Sequence, residues 1–151
     1  MIDKFLDYIS VEKRYSQNTL VSYKKDLEDL LLFISETEGT ENLKKVDKKI
    51  IRNFIVSLSE KKIQKRSINR KLSSLRSFYL YLLKIGESQV SPLETIPSRK
   101  FYAEKQIPIS EEEMEDLEKI LEKESGNSLE KLIIETLYQT GMRKSELCNI
   151  L

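Results

Sequence analysis

Two places in this chain carry residues whose types and spacing can do chemistry on an anion. The first is Thr140-Gly141-Met142-Arg143-Lys144-Ser145-Glu146-Leu147. A glycine after a helical stretch supplies the left-handed turn that ends it. Arg143 then emerges on a rigid support, where a guanidinium can hold a phosphate with two parallel hydrogen bonds. Ser145 is expected to cap the next helix, with Glu146 in its first turn. The second place is the stretch from Lys61 to Gly86, which holds eight Lys/Arg and no Asp or Glu. Arg66, Arg70, Ser73, Ser74 and Ser77 recur there at helical spacing, opposite an apolar stripe. Cations neutralise phosphates and serine hydroxyls donate to phosphate oxygens, so this pattern suits a helix laid against nucleic acid. A solvated face would normally alternate sign to form i, i+4 pairs.

Other chemistries are excluded by composition. The chain contains no histidine, so histidine acid–base work and histidine metal ligation are absent from it. Its single cysteine, Cys148, forms no internal disulfide, and no metal-ligand spacing occurs. Neither a signal pattern nor a membrane-length apolar run is present, which suggests a soluble, reduced, cytoplasmic setting without membrane partners. The net charge of +1 hides an asymmetry. Residues 1–86 hold 18 Lys/Arg against 11 Asp/Glu, whereas residues 108–151 hold 5 against 11. A basic front and an acidic rear point to an anionic partner for the front.

The elements that must position these residues are helices. Ile2, Phe5, Leu6 and Ile9 mark a first amphipathic helix. Ser16 is expected to cap a second, with Leu20, Tyr23, Leu27, Leu30, Leu31 and Ile34 on one face. Asp47 is expected to cap a third, through Ile51, Phe54, Ile55 and Leu58. The fourth runs from about Arg66 or Ser67 to Lys84, burying Ile68, Leu72, Leu75, Tyr79 and Leu82, and Gly86 stops it. On the second helix Asn18, Ser22 and Lys25 face away from the apolar stripe. Tyr23 and Tyr79 belong to the core, while Tyr81 stays open as a base-stacking residue. Four such helices make a bundle over residues 1–86. Pro92 and Pro97, among serines, make 87–107 an extended linker. Residues 108–151 form a second unit opened by a Ser110/Glu113 capping box. Leu129, Leu132, Ile133, Thr136 and Leu137 are expected on the buried face of its second helix. That stretch is short for an independent core. The fold class is all-α.

The order of motifs resembles a known family. Tyr15-Ser16-Gln17-Asn18-Thr19-Leu20 followed by Tyr23 resembles the opening of Xer-type tyrosine recombinases and integrases. Ser67 through Tyr79, with Tyr81-Leu82 after it, is similar to the family's "R-x-L-S-x-L-R-x-F-Y-x-Y-L" helix. Ser91-Pro92 and Ile107-Pro108-Ile109-Ser110 resemble its linker marks, and Leu137 through Leu147 its "L-Y-x-T-G-[LM]-R-x-S-E-L" block. Lys144 departs from a β-branched apolar preference, and Arg99-Lys100 from a frequent Pro-Lys.

The resemblance implies a SAM-like, four-helix core-binding domain followed by the first helices of a catalytic domain. It implies double-stranded DNA and other recombinase subunits as partners, and no cofactor or metal. It places the first catalytic arginine at Arg143, with Glu146 supporting the turn. The remaining catalytic groups, including a histidine and the tyrosine nucleophile, match no residue here, so no tyrosine of this chain is nominated and the chain is expected to be inactive alone. The DNA-binding set is Asn18, Thr19, Ser22, Lys25, Lys65, Arg66, Ser67, Arg70, Lys71, Ser73, Ser74 and Ser77. A non-catalytic helical DNA-binding module and a helical protein-interaction scaffold are the alternatives from the residues alone.

Overall fold

The computed structural model describes residues 1–101, 107–124 and 128–150. It clusters into two compact units, Met1–Tyr102 and Ala103–Leu151. All regular structure among the described residues is helical, and no helix there is long and apolar enough to cross a membrane.

The first unit is a four-helix bundle. Helix α1 (Ile2–Val11) buries Phe5 and Ile9. Its exit is tight: Arg14 takes φ +52° and the Tyr15 amide donates to the Ile9 carbonyl at 3.1 Å. Helix α2 (Gln17–Glu38) starts where Ser16 accepts from the Thr19 amide, and ends at Gly39 with φ +63°. That left-handed cap is open to glycine at little cost and strained for other residues. A short 3-10 turn, Leu43–Lys45, buries Leu43. Helix α3 (Lys48–Glu60) is capped by Asp47, whose carboxylate accepts from the Ile50 amide at 2.8 Å. Helix α4 (Lys65–Lys84) follows a turn in which Lys62 takes φ +57°.

Helix α2 is the hub, packing on α1, α3 and α4. Phe5 joins the helices through aromatic contacts, edge-on to Phe78 at 5.3 Å and beside Tyr23 and Tyr81. Tyr79 is buried, its hydroxyl donates to the Leu43 carbonyl at 2.8 Å, and burial pushes its phenol well above the ordinary range. Tyr81 is also buried, against Phe5 and Tyr8, so it offers no base-stacking surface.

The stretch after Gly86 departs from the expected free linker. Leu93 and Ile96 are buried in the same core as the four helices. Arg76 donates to the Ile96 carbonyl at 2.8 Å. The Asn69 amide group both donates to the Arg99 carbonyl and accepts from the Arg99 amide, each at 2.8 Å. Residues 92–99 are therefore pinned along α4. The compact unit runs well past Gly86, because two apolar residues three positions apart find a slot beside the helix.

In the second unit, α5 (Glu111–Glu124) opens with the expected Ser110/Glu113 capping box, amide to carboxylate at 2.9 Å and amide to hydroxyl at 3.2 Å. Helix α6 (Ser128–Thr140) follows. Of its expected buried face, Leu129 and Leu132 are exposed at 50% and 58%, and Ile133, Thr136 and Leu137 are half-buried. Met114 is the only buried hydrophobic side chain among the described residues of this unit. Two helices alone have too little facing surface to bury both stripes.

A fragment ending at Gly86 is expected to be less stable than one ending at Lys100. Losing the burial of Leu93 and Ile96 should cost about 3 kcal/mol, at roughly 1.5–3 kcal/mol per buried aliphatic side chain. Urea denaturation followed by circular dichroism checks this, and equal midpoints for the two fragments would refute the pinned tail.

Candidate nucleic-acid interface

The polar centre of the α2–α4 seam is a carboxylate that composition does not single out. Asp26 is fully buried on α2. A bare buried carboxylate is costly, and here every lone-pair direction is used. Arg70 grips it with both terminal nitrogens, Nη1 at 2.7 Å and Nη2 at 2.8 Å. Lys71 Nζ donates at 3.0 Å and the Ser74 hydroxyl at 2.6 Å. Lys71 also donates to Asp29. Burial alone pushes the Lys71 amine down, but its hydrogen bonds to Asp29 and Asp26 outweigh that and hold it above the ordinary lysine value.

This cluster corrects the placement of two expected contact residues and engages a third. Ser74 and Lys71 are buried and turned towards Asp26, away from the solvent face. Arg70 has its side chain 48% exposed, but one edge of its guanidinium is committed to the carboxylate. The arc buried on α4 is wider than the apolar stripe because α1, α2, α3 and the pinned tail all cover it.

The bonds also set the register. Asp26 meets Arg70 and Ser74, and Asp29 meets Lys71, so α2 and α4 run antiparallel. At one end of the seam a groove of about 420 Å³ is lined by Lys25 of α2, Lys61 of the preceding turn, and Ser67 and Arg70 of α4. Asp29 and Glu36 stand on the same groove. In that antiparallel register Ser22 and Asn18 of α2 lie towards the C-terminal half of α4. Asn18, Lys25, Lys65, Arg66 and Ser73 are exposed, and Thr19, Ser22, Ser67 and Ser77 are half-buried. Two hydroxyls are already engaged: Ser77 donates to the Ser73 carbonyl at 3.1 Å, and Thr19 bonds the Ser16 hydroxyl at 2.9 Å.

Of the eight cations in the acid-free stretch, four are tied down. Arg70 and Lys71 meet Asp26, Arg76 holds the tail, and Lys84 pairs with Glu12 at 2.9 Å while lying over the Tyr8 ring. Lys61, Lys62, Lys65 and Arg66 have no side-chain partner among the described residues. They surround the start of α4, whose cap residue Gln64 makes no side-chain cap bond and whose first turn holds no acid. Uncapped N–H groups and the positive end of the helix dipole reinforce these four charges.

In the second unit, Gly141 takes φ +64° and its amide donates to the Leu137 carbonyl at 3.0 Å, closing α6. Arg143, not Ser145, is the cap residue of the short helix α7 (Lys144–Leu147), and Ser145 lies inside that turn. Glu146 supplies the cap from within: it accepts from the Arg143 amide at 2.8 Å and from Arg143 Nη1 at 2.9 Å. Those bonds hold its carboxyl below the ordinary glutamate value. The Arg143 side chain is 82% exposed, leaving its remaining donors free to face an anion.

A family model described as phage integrase, N-terminal SAM-like domain, matches residues 2–86. The chain belongs to that family. Among curated proteins it is similar to the tyrosine recombinase XerC of Staphylococcus aureus strain MSSA476, with 37% identity over 98% of this chain and 49% of that protein. The proteins of the same name from strains USA300 / TCH1516 and JH9 are 37% and 36% identical over the same shares. The chain spans about half the length of the curated relatives it matches. No solved structure matches it.

Asp26→Ala is expected to destabilise the first unit by about 3 kcal/mol, because it strands Arg70 and Lys71 at a buried site. Arg70→Ala should cost about 1 kcal/mol, discounted because its guanidinium is half in water, and Ser73→Ala less than about 0.5 kcal/mol. Urea titration gives the order, and an Asp26→Ala midpoint equal to the parent's would refute the cluster.

The Lys71 contribution has a pH signature. A raised folded-state value means its stabilisation is fully present below about pH 10.5 and is lost as pH rises through that raised value. Denaturation midpoints measured from about pH 9 to about pH 12 should fall for the parent. The midpoint of Lys71→Met should stay flatter over the same span.

Proposed function

We propose that this chain is the DNA-gripping front part of a site-specific tyrosine recombinase, working on double-stranded DNA in the cytoplasm together with further recombinase subunits. The observation that carries the reading is the group Lys61, Lys62, Lys65 and Arg66, four unpartnered cations around the uncapped start of α4. No side chain among the described residues pairs with them, and four like charges close in sequence repel one another unless an anion is present. Lys25, Ser67 and Arg70 continue this surface along the α2–α4 seam. From Ser67 to Ser77 α4 rises about 15 Å, comparable with the major groove's width of about 12 Å.

On this reading the exposed members of the seam hold phosphates: Lys25, Lys65, Arg66 and Arg70 by charge, Ser67 and Ser73 by their hydroxyls. Asn18, Thr19, Ser22 and Ser77 lie at the other end of the same face. The buried Lys71 and Ser74 act through Asp26 and touch no DNA. Residues 108–151 begin the catalytic portion, and Arg143 is the arginine that faces the scissile phosphate, oriented by Glu146. In the whole enzyme a tyrosine attacks that phosphate, and the phosphotyrosine bond conserves the energy for rejoining. Arginines stabilise the charge on the transferring phosphoryl group. The 151-residue chain carries one of these arginines, so it should bind DNA and form no covalent adduct.

The test is salt-dependent binding of duplex DNA by fluorescence anisotropy. Lys65→Ala and Arg66→Ala should each lower the slope of log K against log salt by about 0.9, with thermal stability unchanged within about 0.5 kcal/mol. A slope that stays the same in the double variant would mean these cations face only solvent.

A further inference from the structure

We infer that Asp26 is a positioning residue for DNA, acting through Arg70, an inference that rests on the DNA-gripping reading above. The geometry is specific. Arg70 meets Asp26 end-on, through Nη1 and Nη2 together. A guanidinium has five N–H donors, and an end-on pair uses two of them. Three remain, and two of them, the Nε–H and the Nη–H on its side, form a second fork along the side of the group. Nε makes no hydrogen bond among the described residues. The carboxylate lies wholly inside while the Arg70 side chain is 48% exposed, which leaves room for the second fork to meet solvent. Arg70 lines the groove that also carries Lys25, Lys61 and Ser67, along with Asp29 and Glu36. A phosphate with two oxygens fits such a fork.

The carboxylate is itself immobile. Ser74 donates to it at 2.6 Å and Lys71 at 3.0 Å, both from the helix that carries Arg70. A long side chain that would otherwise sample many rotamers is thus held in one before DNA arrives. The ordering cost, normally met on binding, is met on folding.

Charge alone makes the opposite prediction for the same residue. Removing an acid close to a phosphate-binding face raises the local positive potential and should tighten DNA binding. If Asp26 positions Arg70, removing its charge should weaken binding instead. The experiment uses the 151-residue chain and a duplex without a special site, with anisotropy read across a salt series. Asp26→Asn should bind more weakly and lose about 0.9 from the salt slope, as Arg70→Ala does. The double variant should be no worse than either single one. Arg70→Lys keeps the charge and loses the fork, and should bind roughly tenfold more weakly.

Circular dichroism establishes folding of each variant. If Asp26→Asn does not fold, Arg70→Lys decides, since a lysine retains an ion pair with Asp26. Binding by Asp26→Asn as tight as the parent's or tighter, or full affinity in Arg70→Lys, overturns the inference and leaves Asp26 a mere counter-ion. Failure of the parent chain itself to bind DNA in a salt-dependent way overturns the underlying reading instead. Loss of binding in Lys65→Ala/Arg66→Ala, measured alongside, keeps the two failures apart.

Discussion

A carboxylate without water must be met by donors, and in this bundle that requirement sits at Asp26. Apolar side chains tolerate small slides along a neighbouring helix, because their contacts are non-directional. Four hydrogen bonds converging from Arg70, Lys71 and Ser74 do not. Only one antiparallel register of α2 against α4 brings those three side chains to one point. Other contacts are consistent with that register: Phe5 of α1 meets Tyr23 of α2 together with Phe78 and Tyr81 of α4, and Lys25 shares a groove with Ser67 and Arg70. The net stability gained from such a cluster is modest, since desolvation opposes it. Breaking one partner is expensive, and that asymmetry is what makes a single register prevail.

The same cluster redistributes charge. Along the sequence, 61–86 is purely basic. In space, Asp26 and Asp29 of α2 and Glu12 at the end of α1 bind three of those eight cations, and Arg76 is held by the tail. The uncompensated charge is therefore concentrated at the turn before α4 and its first residues, where the helix dipole has the same sign. The middle of the helix offers oriented donors; its start offers field.

What was legible in the sequence was mostly local. Ser16, Asp47 and the Ser110/Glu113 pair announce helix starts because each cap acts within three residues. Gly39 and Gly141 end helices by backbone conformation alone. The four stripes follow from periodicity. Illegible parts depend on another element. Asp26 lies between Tyr23 and Leu30 at helical spacing, so an acid on an apolar face was visible as a signal, but its partners are more than forty positions away. Ser74 and Lys71 look solvent-facing in the sequence because periodicity marks one buried stripe on α4, whereas α1, α2, α3 and the tail cover it. Leu93 and Ile96 lay among prolines and serines, where two isolated apolar residues carry no period.

The two arginines of interest show these two routes to orientation. Arg143 is held by Glu146, three residues on in the same turn, behind a glycine cap that needs no outside contact. Its immediate geometry survives in a unit with few buried apolar side chains. Arg70 is held by a carboxylate on another helix, and its orientation exists only while α2 and α4 are packed. A locally braced arginine can be carried as a finished part to wherever chemistry occurs. An arginine braced across helices reports on the whole bundle, and loosening the packing disarms it before any residue on the surface has changed.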